Sequence, residues 1–175
     1  MTVREAEIAD ALAIARVQVA AWQAAYRHLL PQAWLGAMSV QDRSDKWQQI
    51  IGEGRSTVAV ACHAGDVIGF ASSGPSRDKD ALPHTHELFA LYVHPGHWSG
   101  GQGWRLWQSV RQSALKLAAT RCTLWAMVGN ERAVRFYERA GFTLETGSRQ
   151  NFELAGVALQ EDRYVQLVGD NGALC

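Results

Sequence analysis

At 175 residues the chain is long enough to bury an ordinary core as one domain, and its 47% apolar content is that of a soluble globular protein. Its 17 basic residues balance 17 acidic ones, which argues against a general nucleic-acid or acidic-membrane binder, since both need a basic surplus. No apolar run approaches the ~20 residues of a membrane helix, MTVREAEIAD holds no apolar signal core, and scattered cysteines without Cys-x-x-Cys suit a reducing cytoplasm.

Residues 2–6 read as a first strand. Ile8, Leu12, Ala15, Val19, Trp22 and Tyr26 recur at steps of four and three, which predicts a helix over 8–27 with that stripe facing the core. Trp22 and Tyr26 close the stripe. Large amphipathic aromatics at the end of an element either pack or line a pocket. Pro31 opens a short turn to Met38, and Ser39 is the candidate N-cap of a helix to Ile51, ended by Gly52 and Gly54. Residues 57–63 and 67–72 form a hairpin about Ala64-Gly65-Asp66, and 74–83 is an exposed loop bounded by prolines.

Residues 87–117 carry the first chemistry. Residues 87–93 form a strand, 94–103 a loop with Pro95, Gly96, Gly100, Gly101 and Gly103, and 104–117 a helix. Trp104, Trp107, Val110, Ala114 and Leu117 keep helical spacing. A glycine turn leading into a helix brings unpaired N–H groups and the positive end of the peptide dipoles together. Residues 99–105 therefore make a cradle for a phosphate or pyrophosphate. There is no Gly-Lys-Ser/Thr for a nucleoside-triphosphate loop, and no second glycine pair at dinucleotide spacing.

Residues 121–128 are a strand by β-branched and aromatic content. Asn130 opens a helix stopped by Gly141, residues 142–146 are another strand, and 152–154 with 162–168 form a last hairpin. The tail 169–175 is expected to fray. Asn130 and Tyr137 are seven residues apart, roughly 700° round a helix, so both can face one ligand. Asn130 equally suits a helix cap, and Tyr137 equally suits the core.

ELFALYVHP followed by GGQGW resembles the acetyl-CoA-binding motif of the GCN5-related N-acetyltransferase (GNAT) family. Gly101 and Gly103 match it; Trp98 stands where Arg or Gln is usual, as in a Trp-containing variant of many members. Residues 130–142 resemble the family's other signature, Asn-x-x-Ala-x-x-Phe-Tyr-x-x-x-Gly-Phe, at Asn130, Ala133, Phe136, Tyr137, Gly141 and Phe142. Asp162 to Tyr164 looks like a common C-terminal strand of the family. The resemblance implies an α/β (α+β) fold: a mixed, largely antiparallel sheet flanked by helices, the acyl-CoA N-acyltransferase fold. Its central parallel strands, 87–93 and 121–128, splay apart for the cofactor. One domain over 1–168 is expected. The implied cofactor-binding residues are Leu91, Tyr92, Val93, Trp98, Ser99, Gly100, Gly101, Gln102, Gly103, Trp104, Asn130, Ala133, Phe136 and Tyr137. Trp22 and Tyr26 fall where bacterial members border the acceptor.

The implied reaction is acyl transfer from acetyl-CoA to an amine of a small molecule or peptide. An ammonium of pKa near ~10 must first lose a proton, and Glu87, on the cofactor strand, is the candidate base, directly or through water. His86 is the alternative base. Backbone amides near residues 91–93 can hold the oxyanion, and Tyr137 can protonate the leaving thiolate. His84 and His86 share a strand face, but His-x-His alone lacks the three ligands of a catalytic zinc, so no metal is expected. Cytoplasmic location, no nucleic-acid or membrane partner and a possible homodimer complete the expectation. A non-catalytic acyl-CoA sensor is the rival reading, and a binder of another anionic nucleotide is a second.

Overall fold

A computed structural model describes residues 1–168. The elements run β1 (Thr2–Glu5), α1 (Ala11–Ala25), α2 (Gln32–Gly36), α3 (Val40–Glu53), β2 (Thr57–His63), β3 (Asp66–Pro75) and β4 (Thr85–Val93). There follow α4 (Gln102–Lys116), β5 (Arg121–Met127), α5 (Glu131–Arg139), β6 (Thr143–Leu144), β7 (Gln150–Leu154) and β8 (Val157–Leu167). The expected frayed tail lies outside the described residues.

The strands make one sheet in the order β1-β2-β3-β4-β5-β8-β6, with β7 on the other end of β8. β4 and β5 run parallel, while every other pairing of the described strands is antiparallel. The expected α/β class and mixed, largely antiparallel sheet are what the chain forms. Helices cover both faces. On one, Leu106, Trp107 and Val110 of α4 pack with Phe142 and Leu124. On the other, Ile14 of α1, Trp47 of α3 and Phe70 of β3 form a second core, with Trp47 and Phe70 rings edge-on at 4.9 Å. A third cluster joins Tyr26, Leu30 and Leu35 to Leu159 of β8.

Local chemistry sets several boundaries. The Ser39 hydroxyl accepts the Asp42 N–H at 3.1 Å, capping α3, and Gly54 closes that helix at φ 63°. The predicted first helix needs correction. Residues Ile8–Asp10 form a separate 3₁₀ turn, and Ile8 and Leu12 are 56% and 40% exposed. The face that is buried runs through Ala11, Ile14, Ala15 and Val19, because α3 packs across α1 and shifts the apolar stripe. Leu117 ends the α4 stripe in solvent, at 60% exposure.

One irregularity positions the site. Ser72 and Ser73 of β3 face Ala90 and Leu88 of β4, so Phe89 is an extra residue on β4. A bulge bends its strand and ends regular pairing. The β4–β5 ladder stops there: its last pair is Leu88 with Leu124, and beyond it the two strands separate.

Candidate active site

The gap between the separated strands is a cleft of about 540 Å³. Its walls hold Leu88 to Val93 of β4, Trp125 to Met127 of β5, the first turn of α4 and one face of α5.

The loop after β4 delivers the anion cradle. The Trp98 indole donates to the Val93 carbonyl at 2.7 Å, folding the loop back on the strand. Ser99 at φ 65° and Gly101 at φ 83° then reverse the chain into α4. Gly101 is the N-cap of α4, and the first backbone bond of that helix runs from the Arg105 N–H to the Gly101 carbonyl at 3.2 Å. The N–H groups of Ser99 to Trp104 have no acceptor within the described protein. That is six successive donors at the positive end of a 15-residue helix. Gly103 stands close to the opposite wall: a Cβ there would meet the Phe136 ring at 3.3 Å, tighter than most such contacts.

α5 forms the opposite wall. Asn130 caps it, accepting the Ala133 N–H at 3.3 Å, and Asn130, Ala133, Phe136 and Tyr137 all line the cleft. Asn130 is therefore both cap and wall. The Tyr137 ring packs on Phe136 at 5.3 Å and Phe142 at 5.9 Å, and burial raises its phenol well above the ordinary value. Tyr26 and Tyr92 are also raised by burial and stand close enough to Tyr137 to interact. Three un-ionised phenols thus surround the middle of the cleft.

The open edge of β4 offers amides. The His94 N–H bonds the Ile68 carbonyl of β3 at 2.8 Å. Alternation along the strand then turns the Leu91 and Val93 amides toward the gap, while Tyr92 stays paired across from Phe70.

Several expected residues sit elsewhere. Glu87 lies in the paired part of β4, below the separation, 4% exposed and outside the cleft wall. Its carboxylate accepts the Arg77 N–H at 2.8 Å and the Arg77 guanidinium at 3.2 Å, which ties down the segment after β3. Both of its oxygens are thus occupied by Arg77. His86 is 2% exposed on the opposite face; burial lowers its pKa and its Nε2 has no partner. His84 precedes the strand at φ 57°, so the two histidines do not share a strand face. Trp22 backs Tyr26, rings 4.9 Å apart, and is not in the wall. Gly100 also turns away from the cleft, its Cβ direction filled by the Gln102 amide. The remaining expected cofactor contacts line it, Trp104 included.

Sequence reasoning passed over the arginines. Arg132, Arg135 and Arg139 line the cleft from α5. Their spacing of three and four, a basic stripe on one helix face, was the available signal. Arg132 also stacks on Trp98 at 4.3 Å and donates to Ser99 Oγ at 3.2 Å.

Known proteins share this frame. The family model described as the acetyltransferase (GNAT) family matches residues 19–142. YuaI of Bacillus subtilis, described as an uncharacterized N-acetyltransferase, is 30% identical over 161 residues, 92% of this chain and 90% of its own. Among solved structures, YncA of Salmonella typhimurium, held with its cofactor acetyl-CoA, superposes with TM-score 0.73 at 23% identity over 100% of this chain and 98% of its own. The PaiA N-acetyltransferase of Thermoplasma acidophilum, in complex with coenzyme A, gives 0.73 at 17% identity over 92% of this chain and 96% of its own.

Proposed function

The chain is an acetyltransferase of the GNAT family, and from that membership we propose that it moves an acetyl group from acetyl-CoA directly to the amine of a small molecule or peptide. The observation that carries this reading is the run of amides from Ser99 to Trp104, unpaired within the described protein, of whose residues all but Gly100 line the same cleft as Tyr137.

The residues divide the work. The amides of 99–104 and the positive end of α4 hold the pyrophosphate. Arg132, Arg135 and Arg139 meet the cofactor's remaining negative charge along α5. The pantetheine arm lies along the open edge of β4, as an extra strand between β4 and β5. That places the thioester carbonyl at the Leu91 and Val93 amides, which stabilise its oxygen as negative charge builds. Attack by the neutral amine forms the new C–N bond and breaks the C–S bond. Tyr137, kept protonated by its burial, gives its proton to the departing thiolate and recovers one from solvent. The bound acetyl-CoA and CoA of the YncA and PaiA structures support the choice of donor.

Release of free CoA, measured with acetyl-CoA over a panel of primary amines, tests the reaction. Thermal melts with acetyl-CoA, CoA and ATP test the donor, because a ligand that binds only the folded state raises the melting temperature. A rise with ATP equal to that with acetyl-CoA would remove the donor assignment. A rise with acetyl-CoA and no CoA release on any amine would make the protein a sensor.

A further inference from the structure

The reaction as described lacks a proton acceptor, since Glu87 is spent on Arg77. β8 supplies one. Glu161 stands across from Met127 of β5, and Met127 lines the cleft. Residues two apart on a strand share a face. Leu159, Glu161 and Arg163 therefore project together, and Leu159 packs with Tyr26 and Met127 in the third core. Glu161 is not itself in the cleft wall, but its ladder partner Met127 is, beyond the last β4–β5 pair at Leu88 and Leu124.

What surrounds it is informative. Asp78 comes from the segment after β3, Glu87 from β4, Tyr26 from α1 and Arg163 from its own strand, while β7 presents the uncharged Gln150 opposite. Each neighbouring acid has a partner. Asp78 accepts the Trp125 indole at 2.9 Å and Arg163 at 3.2 Å, and Glu87 holds Arg77. Arg163 has four of its five N–H donors committed, to Glu145, Asp78 and Asp80. Glu161 alone of these acids has no hydrogen-bond or ion-pair partner among the described residues, although it is partly buried. A carboxylate that is partly out of water, beside two other acids and with no guanidinium bonded to it, is suited to a cation brought by the ligand.

We propose that Glu161 receives the acceptor's primary ammonium and takes its proton. This rests on the acetyltransfer reading above. One ammonium N–H bond breaks and the Glu161 O–H bond forms, directly or through one water. The freed lone pair attacks the thioester carbon. Collapse of the adduct breaks the C–S bond, Tyr137 protonates the sulfur, and the second proton on nitrogen leaves to solvent. Glu161 then releases its proton to solvent and Tyr137 recovers one, so the sum is amide, CoA thiol and one proton. Desolvation, then Asp78 and Glu87, raises the Glu161 pKa above that of a free glutamate, which brings it closer to the ammonium it must deprotonate.

The test compares wild type, Glu161→Gln and Glu161→Asp for CoA release with acetyl-CoA on tyramine, spermidine and an Ala-terminated peptide, together with acetyl-CoA affinity and thermal stability. On whichever amine wild type uses best, Glu161→Gln should lose about 10²–10⁴-fold in kcat/KM at pH 7 with acetyl-CoA binding unchanged. The loss should shrink as pH rises toward the amine's own pKa of about 10, because solvent then supplies the neutral amine. Glu161→Asp should keep part of the rate and the wild-type acidic limb. Glu161→Gln should also melt no lower than wild type at pH 7, since it removes a repelled charge; a merely structural residue would cost stability. Transfer by Glu161→Gln within about threefold of wild type at pH 7 would overturn the proposal and leave the acetyltransfer reading standing. Failure of wild type on every amine would overturn both.

Discussion

Gly101→Ala probes the anion cradle with the fewest side effects. Gly101 caps α4 at φ 83°, ψ 0°, and a Cβ added there meets nothing within 4 Å. The substitution creates no clash, so it isolates backbone strain. An L-residue held in the left-handed region costs roughly 1–2 kcal/mol. A change of 1 kcal/mol moves the melting temperature of a chain this size by about 2–4 °C, so the ligand-free variant should melt about 2–8 °C lower. Gly36→Ala is the control: it ends α2 in open space without a positive φ, and should gain about 0.5–1 kcal/mol. Acetyl-CoA gives a second signal. At a hundredfold over its Kd it should stabilise wild type by about 2.7 kcal/mol. In the variant, relaxation of the new alanine out of the left-handed region swings the amides of Gln102 to Trp104 off the pyrophosphate. A tenfold weaker Kd then leaves about 1.4 kcal/mol of stabilisation at the same ligand concentration, so the ligand-induced rise should halve. Differential scanning calorimetry with and without acetyl-CoA reads both effects, and titration calorimetry reads Kd. A lower ligand-free melting point with an unchanged Kd would refute the reasoning, because the strained turn would then have no part in holding the ligand.

Two further outcomes follow from buried groups. Tyr137→Phe should lower kcat by about 10²–10⁴-fold while leaving acetyl-CoA affinity near wild type; equal losses in kcat and affinity would make Tyr137 a packing residue. His86 is buried with its pKa depressed below the ordinary 6.5 by desolvation. As pH falls through 6.5 the unfolded chain takes up a proton that the folded one refuses, so stability should drop between about pH 7.5 and the depressed value. Toward acid, wild type should lose stability relative to His86→Leu, so the difference between their denaturation midpoints should shift across that range, and parallel curves would rule out His86 as the cause.

Local signals survived into the structure and long-range ones did not. The Gly101 turn and the Asn130–Phe142 motif were readable because backbone conformation and helix periodicity are set within a dozen residues. The Ser39 cap was readable for the same reason. The Phe89 bulge was not, since an extra residue on β4 is defined only against β3. Glu87 was readable as a candidate base from its strand; the Arg77 amide and guanidinium that occupy it were not, because they come from another segment folding back. Glu161 gave no signal at all. Its place beside Met127 depends on the β5–β8 register, a pairing across more than 30 residues of chain. Ile8 and Leu12 failed differently: their spacing was helical, but α3 chose which face of α1 to cover.

A net charge of zero hides a cleft that is strongly polarised. At one end lie the six amides, the α4 dipole and Arg132, Arg135 and Arg139. Beyond the other, outside the wall, lie Glu161, Asp78 and Glu87, with Arg163 and Arg77 already committed. Tyr137 stands between them in a wall of aromatic rings. On the proposed assignments, opposite fields would sort the two substrates, drawing an anionic donor to the α4 end and a cationic acceptor to the β8 end. They meet only where the bulge at Phe89 has parted the sheet. The bulge gives the room, and under the proposal the charge separation sets which reactant comes from which side. An acceptor with a carboxylate next to its amine would lose that guidance, because the β8 end would repel it as strongly as it attracts the ammonium.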